Sequence, residues 1–547
     1  MKNKVLATLL ALSLAVGCLA GCGSSKDGES SAAGENSKTQ ETASQASSGE
    51  EEDSNFNETG YPIVDEPVTL KMYTISSQTD PNEFEFFKMM EELTNVHIEW
   101  TTIPAGDGAQ ERLNLMWASG EYPDAVVAGS TTLPSISREY LEDGIIIPVN
   151  DLIDKYMPNL KEHAGEYLAE LTYPDGNIYG FPEIKDYYYM GMDQAVCINT
   201  DWLENLNLEM PTTTDEFREV LRAFKEQDAN GNGDPNDEIP YSAVSWKWQT
   251  SLSMITGAFT YPLADRMLVV DGVVIDPACE DGLKDAIKYL RELYAEGLID
   301  QEIFTQEEST YMAKCKEDPV IVGSSAVWRS GHSFGDDVAE ESYVTLPPLT
   351  GPDGKSGIYA SYVNVSLSTV MYITNACEYP EVLARWIDTL YDPIISLQSC
   401  YGPLDTALVK TEEGYLSTVP EGYSTLGEYL TGNHLQHLPQ IVDSSLLAPD
   451  ERFSVQDKII QDKVYVDSGA LYYGYPRLIM ETEEQEEVDL LKTDIAKYQE
   501  ETICRWISGQ GDVDAEWDEY IATLNNFGHE RYLEIHQQAY DRYLANN

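Results

Sequence analysis

The chain is poor in basic residues, with 34 lysines and arginines against 95 aspartates and glutamates, and its formal net charge is −61 over 547 residues. So acidic a surface repels nucleic-acid phosphates and anionic lipid headgroups. We therefore expect no nucleic-acid partner. Long apolar runs are also scarce: beyond the first 20 residues, no segment reaches the roughly 18 consecutive apolar residues of a membrane-spanning helix.

Paired cysteines are absent as well. Beyond residue 22 no CxxC pair occurs, so zinc-ribbon spacing is excluded and the few thiols cannot form a disulfide scaffold. We expect buried free thiols, with one or two disulfides as the alternative. The six cysteines of this part of the chain are Cys197, Cys279, Cys315, Cys377, Cys400 and Cys504.

The common catalytic motifs are missing too. The sequence has no GxSxG elbow, no HExxH, no phosphate-binding glycine loop and no kinase-like set. His434 and His437 have HxxH spacing but no third ligand near them, so we interpret them as structural or surface residues. Carboxylates are too abundant for one glycosidase pair to be chosen. No residue argues for an enzyme, and we expect none.

The N-terminus is the most informative segment that is present. Lys2 and Lys4 precede an apolar stretch over residues 5–20, and Leu19-Ala20-Gly21 leads into Cys22. This layout is that of a secretory signal, and it resembles a bacterial lipoprotein signal, in which the cysteine thiol is diacylated and the chain is cut on the N-terminal side of that cysteine. We predict a signal peptide over residues 1–21 and a lipid anchor on Cys22. A plain cleaved signal and acylation at Cys18 are the alternatives.

A polar segment separates this signal from the rest of the chain. Residues 23–60 are mostly Ser, Glu, Gly, Ala, Asn, Thr and Gln, and cannot bury enough apolar surface to fold. We predict that residues 22–60 are the lipidated cysteine and a disordered linker. As the only membrane attachment, the lipid would place the protein at the extracellular face of the cytoplasmic membrane.

From residue 61 onward, strand and helix patterns alternate. Strands are predicted over 68–73, 96–101 and 123–127, with helices over 82–93 and 109–118 between them, and the last 70 residues are expected to be helical. Thr213 and Glu216 have the spacing of a capping box at the start of a further helix. This alternation predicts an α/β architecture with largely parallel sheets.

An acidic, asparagine-rich loop over residues 228–238 is the sharpest local motif. Oxygen-bearing side chains alternate along it and a glycine allows a tight bend, which is the front half of a calcium loop. No EF-hand exit helix can follow, because Ile239 and Pro240 come next, so we predict a structural Ca²⁺ site between a helix and a strand. A polar turn is the alternative. The predicted ligands are Asp228, Asn230, Asn232, Asp237 and Glu238 through side chains and Asp234 through its carbonyl.

Aromatic residues are abundant, with 35 tyrosines and nine tryptophans. Flat rings with polar handles suit the apolar faces of sugars. Any one of these rings is more often a core residue, so the prediction of sugar binding depends on the group. The clusters lie in polar stretches at Tyr187-Tyr188-Tyr189, Trp246 with Trp248, and Trp328 followed by Arg329.

Several motifs, in order along the chain, resemble the extracellular solute-binding lipoproteins of bacterial carbohydrate ABC importers, in particular the large calcium-loop-bearing oligosaccharide-binding subgroup. They are Ser-Gly-Glu-Tyr-Pro-Asp at 119–124, Asp-Gly-Asn-Ile-Tyr-Gly-Phe-Pro at 175–182, Asp-Trp-Leu at 201–203 followed by Pro-Thr-Thr at 211–213, Leu-Tyr-Ala-Glu-Gly-Leu-Ile-Asp at 293–300, and Leu-Pro-Pro-Leu-Thr-Gly at 346–351. Each motif is weak alone, and their order carries the resemblance.

The resemblance implies a two-lobed, periplasmic-binding-protein-like (type II) α/β fold with a multi-crossover hinge and a helical C-terminus. Residues 61–186 and 366–472 would form lobe 1, and residues 187–365 and 473–547 lobe 2, with crossings near 185–192, 360–367 and 470–478. It places Asp124 at the ligand from lobe 1, and Trp246, Trp248 and Trp328 at it from lobe 2. It leaves open whether Asn236 or Asp237 binds the metal.

The function that the resemblance implies is capture of an oligosaccharide in the interlobe cleft and its delivery to an ABC permease, by a protein expected to be a monomer. Two alternatives stay open. The same fold could bind a peptide or a uronate, with Lys247, Arg266, Arg329 or Arg477 as a local basic pocket, or the chain could be a surface glycosidase or lyase.

Overall fold

Helices and strands alternate in the computed structural model, which describes residues 55–546 except 77–79, 105–108, 128–137, 186–193, 244–251, 264–266, 361–365, 436 and 477. Its α-helices are α1 Glu85–Thr94, α2 Ala109–Ser119, α3 Arg138–Glu142, α4 Asn150–Tyr156, α5 Pro158–Ala164, α6 Thr200–Leu206, α7 Thr214–Glu226, α8 Ser253–Thr256, α9 Leu283–Ala295, α10 Glu308–Cys315, α11 Ser330–Phe334, α12 Asp336–Ser342, α13 Pro380–Thr389, α14 Pro393–Tyr401, α15 Leu426–Asn433, α16 Phe453–Ser468, α17 Thr482–Ile507, α18 Val513–Asn526 and α19 His529–Asn546.

The strands are shorter than the helices. They are β1 Val68–Ser76, β2 Val96–Pro104, β3 Ala125–Val127, β4 Phe181–Lys185, β5 Ala195–Asn199, β6 Leu268–Val270, β7 Val273–Ile275, β8 Ser324–Val327, β9 Tyr343–Thr345, β10 Ile358–Ala360, β11 Ser366–Ile373, β12 Leu408–Lys410, β13 Tyr415–Ser417, β14 Gln440–Val442 and β15 Leu471–Tyr473. Short 3₁₀ helices lie at Pro81–Glu83, Gly165–Leu171, Pro277–Cys279 and Ser444–Leu446.

The first lobe is built on a six-stranded sheet in the order β14-β4-β11-β3-β1-β2. β1 pairs parallel with β2 and β3, and β14 pairs parallel with β4, whereas β11 is antiparallel to both β3 and β4. A late strand inserted in reverse among the early parallel ones is the type II arrangement. The fold class predicted from the sequence is confirmed.

Both faces of this sheet are covered, as a mainly parallel sheet requires. Leu70 and Met72 of β1 point into one apolar cluster with α1, α4, α5 and α13, and Ile75 points into a second cluster with α2. Alternate residues of a strand face opposite sides, so one apolar strand serves both layers.

The second lobe has a smaller sheet, β8-β5-β9, with both pairings antiparallel. Its largest core cluster joins α6, α7 and α9 to the C-terminal helices α17 and α18, where Trp506 and Trp517 pack at 6.1 Å between ring centroids. The C-terminal residues 482–546 are almost wholly helical, as predicted.

Helix α16 packs in the second lobe. Its Tyr465 belongs to the second-lobe core and accepts a hydrogen bond from the amide of Val196 in β5 at 2.8 Å. The sequence-based division assigned residues 366–472 to the first lobe, and these contacts put α16 with the other one. The chain therefore returns between β14 and Phe453, ahead of the predicted crossing at 470–478. The rest of the division stays a prediction.

Local signals near the loop over residues 228–238 are found where they were predicted. The Thr213 hydroxyl accepts the amide of Glu216, and the Glu216 carboxylate accepts the amide of Thr213, so α7 begins with a capping box. Phe217, Leu221 and Phe224 form its buried stripe. This helix holds the start of the loop against the lobe core.

The expectations about cysteines and about membrane-spanning helices can be compared with the described residues. None of the six cysteines in the described ranges forms a disulfide; Cys197 and Cys315 are buried and the other four partly buried. Within the described ranges, every helix is too short or too polar to cross a membrane.

Candidate functional site

The carboxyl ends of the parallel strands define the first side of the site. Because β1, β2, β3, β4 and β14 run the same way, their last residues lie at one edge of the sheet, and antiparallel β11 begins there. Lys185, which ends β4, faces Ser366, which starts β11. Open α/β sheets bind ligands outside this edge, where the strand order reverses. The chain also leaves the first lobe here, after β4.

A buried carboxylate lies beside this edge. Glu183 of β4 accepts hydrogen bonds from Lys185 Nζ at 2.6 Å and Gln440 Nε2 at 2.9 Å, and its other oxygen lies 3.0 Å from His437 Nδ1. Burial alone would raise the pKa of Glu183, but Lys185 and His437 outweigh it and lower the pKa to about 2. The carboxylate is therefore charged, and it fixes the Lys185 ammonium at the mouth of the site.

Sequence reasoning missed this network. It treated His437 as structural because no third metal ligand was nearby, and it did not consider Glu183, since the two residues are 254 positions apart. The Glu-Ile-Lys alternation of β4 was the only signal, because it puts two opposite charges on one face of a strand.

The second side of the site is the edge of the smaller sheet. Ala195, at the start of β5, pairs with Val327, at the end of β8, so the residues that follow β8 lie beside the point where the chain enters this lobe. Trp328 is half-buried, with its ring 6.2 Å from that of His332 in an edge-on arrangement. Arg329 bonds to Asp336 at 2.5 Å and lies 3.5 Å from Asp457. Its guanidinium is therefore occupied by carboxylates.

A buried polar stripe on α16 adjoins Trp328. Asp457 accepts hydrogen bonds from the Ser330 hydroxyl at 2.7 Å and the Gly331 amide at 2.8 Å, which ties α16 to the start of α11, two residues after Trp328. Lys458, the next residue of the helix, and Asp462 form a fully buried ion pair at 2.6 Å. The side-chain amide of Gln461 is buried and neither its nitrogen nor its oxygen bonds to a described residue.

Such a stripe can bind a hydroxyl-rich ligand. A buried amide without a partner costs about 1–3 kcal/mol, and a ligand hydroxyl that donates and accepts removes that cost. Asp457, Gln461 and Tyr465 are four residues apart, so they lie on one face of α16. They were not among the site residues predicted from the sequence.

Of the other residues predicted to contact the ligand, the structure describes only Asp124. Asp124 precedes β3, where its Oδ2 accepts the amide of Lys71 at 2.6 Å and its carbonyl accepts the amide of Thr374. Along β11, Thr374 is eight residues from Ser366, roughly 25 Å for an extended strand. Asp124 thus lies at the other edge of the sheet, and its contacts support a structural role. Tyr187, Tyr188, Trp246 and Trp248, with Cys22, lie outside the described residues.

The loop over residues 228–238 is closed by its two end carboxylates. Oδ2 of Asp228 accepts the amide of Gly233, and Oε1 of Glu238 accepts the amide of Ala229, both at 2.9 Å. The second oxygen of each, Oδ1 of Asp228 and Oε2 of Glu238, is buried and has no hydrogen-bond partner among the described residues. Burial, and to a smaller extent the charge of Asp237, raises the pKa of Glu238.

The middle of the loop converges on Asp237. The side-chain amides of Asn230 and Asn232 donate to its two carboxylate oxygens at 3.4 and 2.6 Å. Asn236 is exposed and bonds to Asp234 instead. Residue 239 leaves the loop in extended backbone, bridged to Val322. The loop therefore offers an all-oxygen donor set, which suits a hard cation.

The type II fold, in which the chain leaves the first sheet after β4 and returns to it as β11, is that of a two-lobed binding protein. In agreement, residues 81–393 match the family of bacterial extracellular solute-binding proteins, and the chain belongs to that family.

Individual relatives resemble most of the chain. It is 35% identical over 508 residues to the fructooligosaccharide ABC transporter substrate-binding protein FusA of Streptococcus pneumoniae, covering 88% of this chain and 92% of that protein. FusA in complex with kestose has a TM-score of 0.77 at 32% identity, and a FusA EF-hand mutant in complex with fructo-nystose has a TM-score of 0.76 at 31% identity; each match covers 88% of this chain and 100% of the other.

We predict that Glu183→Gln destabilises the protein by about 3–5 kcal/mol at neutral pH, because it leaves buried Lys185 without its carboxylate. A lowered carboxylate pKa stabilises the fold fully above the unfolded value near 4.5, and this stabilisation is lost as pH falls toward about 2. Denaturant melts from pH 7 to pH 2 should therefore show a flatter profile for the variant below pH 4.5.

Glu83→Gln is the matched control. Glu83 pairs with Lys88 on the surface, where both side chains are largely exposed, and such pairs contribute about 0–1 kcal/mol. Equal losses in the two variants would contradict a special role for Glu183.

Proposed function

We propose that this protein is the extracellular receptor of an ABC importer and binds an oligosaccharide between its lobes. The observation that carries the proposal is that half-buried Trp328 lies just before the residues that Asp457 of α16 bonds to, while the buried amide of Gln461, one turn further along α16, has no hydrogen-bond partner among the described residues. A flat ring suits the apolar face of a sugar, and a hydrogen-bonding amide suits its hydroxyl rim.

Fructooligosaccharides are the first ligands to consider, because the 35% identical relative is a fructooligosaccharide-binding protein. The charges near the site favour a neutral sugar over a uronate. Arg329 is already paired with two carboxylates, Lys458 with Asp462 and Lys185 with Glu183. Lys247, Arg266 and Arg477, the other cations considered for an anionic ligand, lie outside the described residues.

Ligand capture would proceed by hinge closure. A ligand that contacts both lobes binds the closed form better than the open one and shifts the population toward it by that difference in affinity. The closed, loaded monomer would then be recognised by the permease. The relatives are transport proteins, and we propose transport, with no catalytic step, for this chain.

We infer that Ca²⁺ stabilises the loop over residues 228–238. Two buried carboxylate oxygens at its ends have no hydrogen-bond partner among the described residues. Ca²⁺ takes six or more oxygens, and the loop offers them from Asp228, Asn230, Asn232, the Asp234 carbonyl, Asp237 and Glu238. The side-chain contacts favour Asp237 over Asn236 as a ligand. The metal would supply local rigidity to the segment that leads into residues 239–243 and the adjoining strand β8.

We further propose that Cys22 carries the membrane anchor. The cysteine follows Leu-Ala-Gly after an apolar stretch, and two acyl chains hold a protein stably where one would not. Of the predicted linker at 22–60, residues 55–60 contact the first lobe, where Arg385 donates to the carbonyls of Asn57 and Gly60.

Trp328→Ala and Gln461→Ala should each weaken binding of kestose or a longer fructooligosaccharide about tenfold or more in titration calorimetry, equivalent to about 1.4 kcal/mol. A screen of mono- and oligosaccharides, uronates and peptides by thermal shift identifies the ligand first. At a hundredfold excess over Kd the ligand adds about 2.7 kcal/mol of stability.

Tyr379→Ala is the aromatic control, because Tyr379 is exposed beyond the end of β11 that lies away from the site. It should bind as the wild type does. If only uronates stabilise the protein, and added salt removes that stabilisation, the ligand is a uronate and not a neutral sugar. Release of products from a polysaccharide, abolished by one carboxylate substitution, would overturn the receptor proposal.

Removal of Ca²⁺ with EGTA should lower the melting temperature by several degrees, and added Ca²⁺ should restore it. The reason is that a ligand that binds only the folded protein stabilises it. Asp228→Asn and Asp237→Asn should abolish the response. Asp234→Asn and Asn236→Ala are matched controls and should keep it, since one acts through its carbonyl and the other faces solvent. A melting temperature indifferent to EGTA would reject the metal.

Cys22→Ala, expressed in a Gram-positive host, should move the protein from the membrane fraction into the medium, since no other anchor is proposed. Cys18→Ala is the control and should stay in the membrane. Membrane retention of the Cys22 variant, measured by fractionation and immunoblot, would contradict lipidation at this residue.

A further inference from the structure

Three potential metal ligands of different chemistry meet away from the ligand site. Asp276 caps the 3₁₀ turn Pro277–Cys279, which ends in Cys279, and His529 begins α19. His529 Nε2 lies 2.8 Å from Asp276 Oδ2 and 3.5 Å from Cys279 Sγ, and Sγ lies 3.7 Å from Oδ2. All three ligand atoms lie within 4.8 Å of one another.

The arrangement is not that of a nucleophilic triad. In a triad the carboxylate and the thiol use different nitrogens of the imidazole, whereas here Asp276 and Cys279 both approach Nε2 most closely. These contacts point instead to a common centre.

The spacing suits a tetrahedral cation. Ligand atoms at zinc distances of about 2.0–2.3 Å lie roughly 3.3–3.7 Å apart. Both distances from Cys279 Sγ meet this spacing, and the 2.8 Å between Asp276 and His529 must open by about half an ångström. We propose that Asp276, Cys279 and His529 bind a Zn²⁺ ion.

Charge and surroundings support this site. One carboxylate and one thiolate neutralise Zn²⁺, so the loaded cluster would be buried without net charge. Gln499 of α17 donates to Asp276 Oδ2 at 2.6 Å and orients it, as residues behind metal ligands do. A cavity of 520 Å³ adjoins the cluster and is lined by Asp276, Gln499 and His536, whose two ring nitrogens have no hydrogen-bond partner among the described residues. Water from this cavity can take the fourth position.

The proposed ion would join three parts of the second lobe. It would connect the turn Pro277–Cys279 to the start of α19 directly and to α17 through Gln499, and so hold the C-terminal helices on the lobe core. Its soft thiolate and imidazole ligands differ from the all-oxygen loop at 228–238, so the two sites would select different metals.

Cobalt substitution tests the site. The purified full chain should bind Co²⁺ with a thiolate-to-cobalt charge-transfer band, which Zn²⁺ abolishes by displacement. Cys279→Ala should remove the band, and His529→Gln should weaken Co²⁺ binding at least tenfold. Cys377→Ala controls for loss of a partly buried thiol elsewhere, and Asp228→Asn controls for the oxygen loop. Both should keep the band.

Wild-type protein alone can overturn the proposal, so it does not depend on the variants folding. Absence of a charge-transfer band with Co²⁺, together with no Zn²⁺ uptake by calorimetry or elemental analysis, would leave an ordinary Asp276–His529 hydrogen-bond pair. A band that persists in Cys279→Ala, with an unchanged circular dichroism spectrum, would assign the metal to another thiol.

Discussion

The insertion of β11 between β3 and β4 is the constraint on which the rest of the structure depends. This strand begins almost 240 residues after β3 ends in the sequence, and it pairs with both neighbours in reverse. A chain that builds a second lobe and then returns must enter the sheet at the edge where it left, because β4 ends where β11 starts. Both crossings therefore lie at the carboxyl edge, which is where the proposed ligand site lies.

Acidic composition shapes how this protein holds its polar groups. With so few cations, three buried or partly buried basic groups of the described residues are matched to carboxylates: Lys185 to Glu183, Lys458 to Asp462 and Arg329 to Asp336 and Asp457. Buried charges require such pairing because desolvation is costly. Among the described residues, no side-chain cation bonds to the two buried carboxylate oxygens of the loop at 228–238, and this is the ground for the metal proposed there.

Much of the secondary structure followed from the sequence, since it rests on short-range rules. The capping box at Thr213, the strand at β1 and the helical C-terminus were predicted from spacing and periodicity and are present. The site was only partly predictable. Trp328 was singled out as one of a group of aromatic residues, whereas Gln461 and Glu183 were missed, because an amide or carboxylate in a strand or helix has no local mark of burial.

The sequence by itself determined the polar linker composition, the oxygen-rich loop and the order of helices and strands, because each depends on residues within one or two turns of one another. Only the tertiary structure decided that α16 belongs with the second lobe, that Asp124 lies at the far edge of its sheet, and that Cys279 meets a histidine 250 residues away. Contacts at such separations depend on how whole layers pack, and no local pattern specifies them.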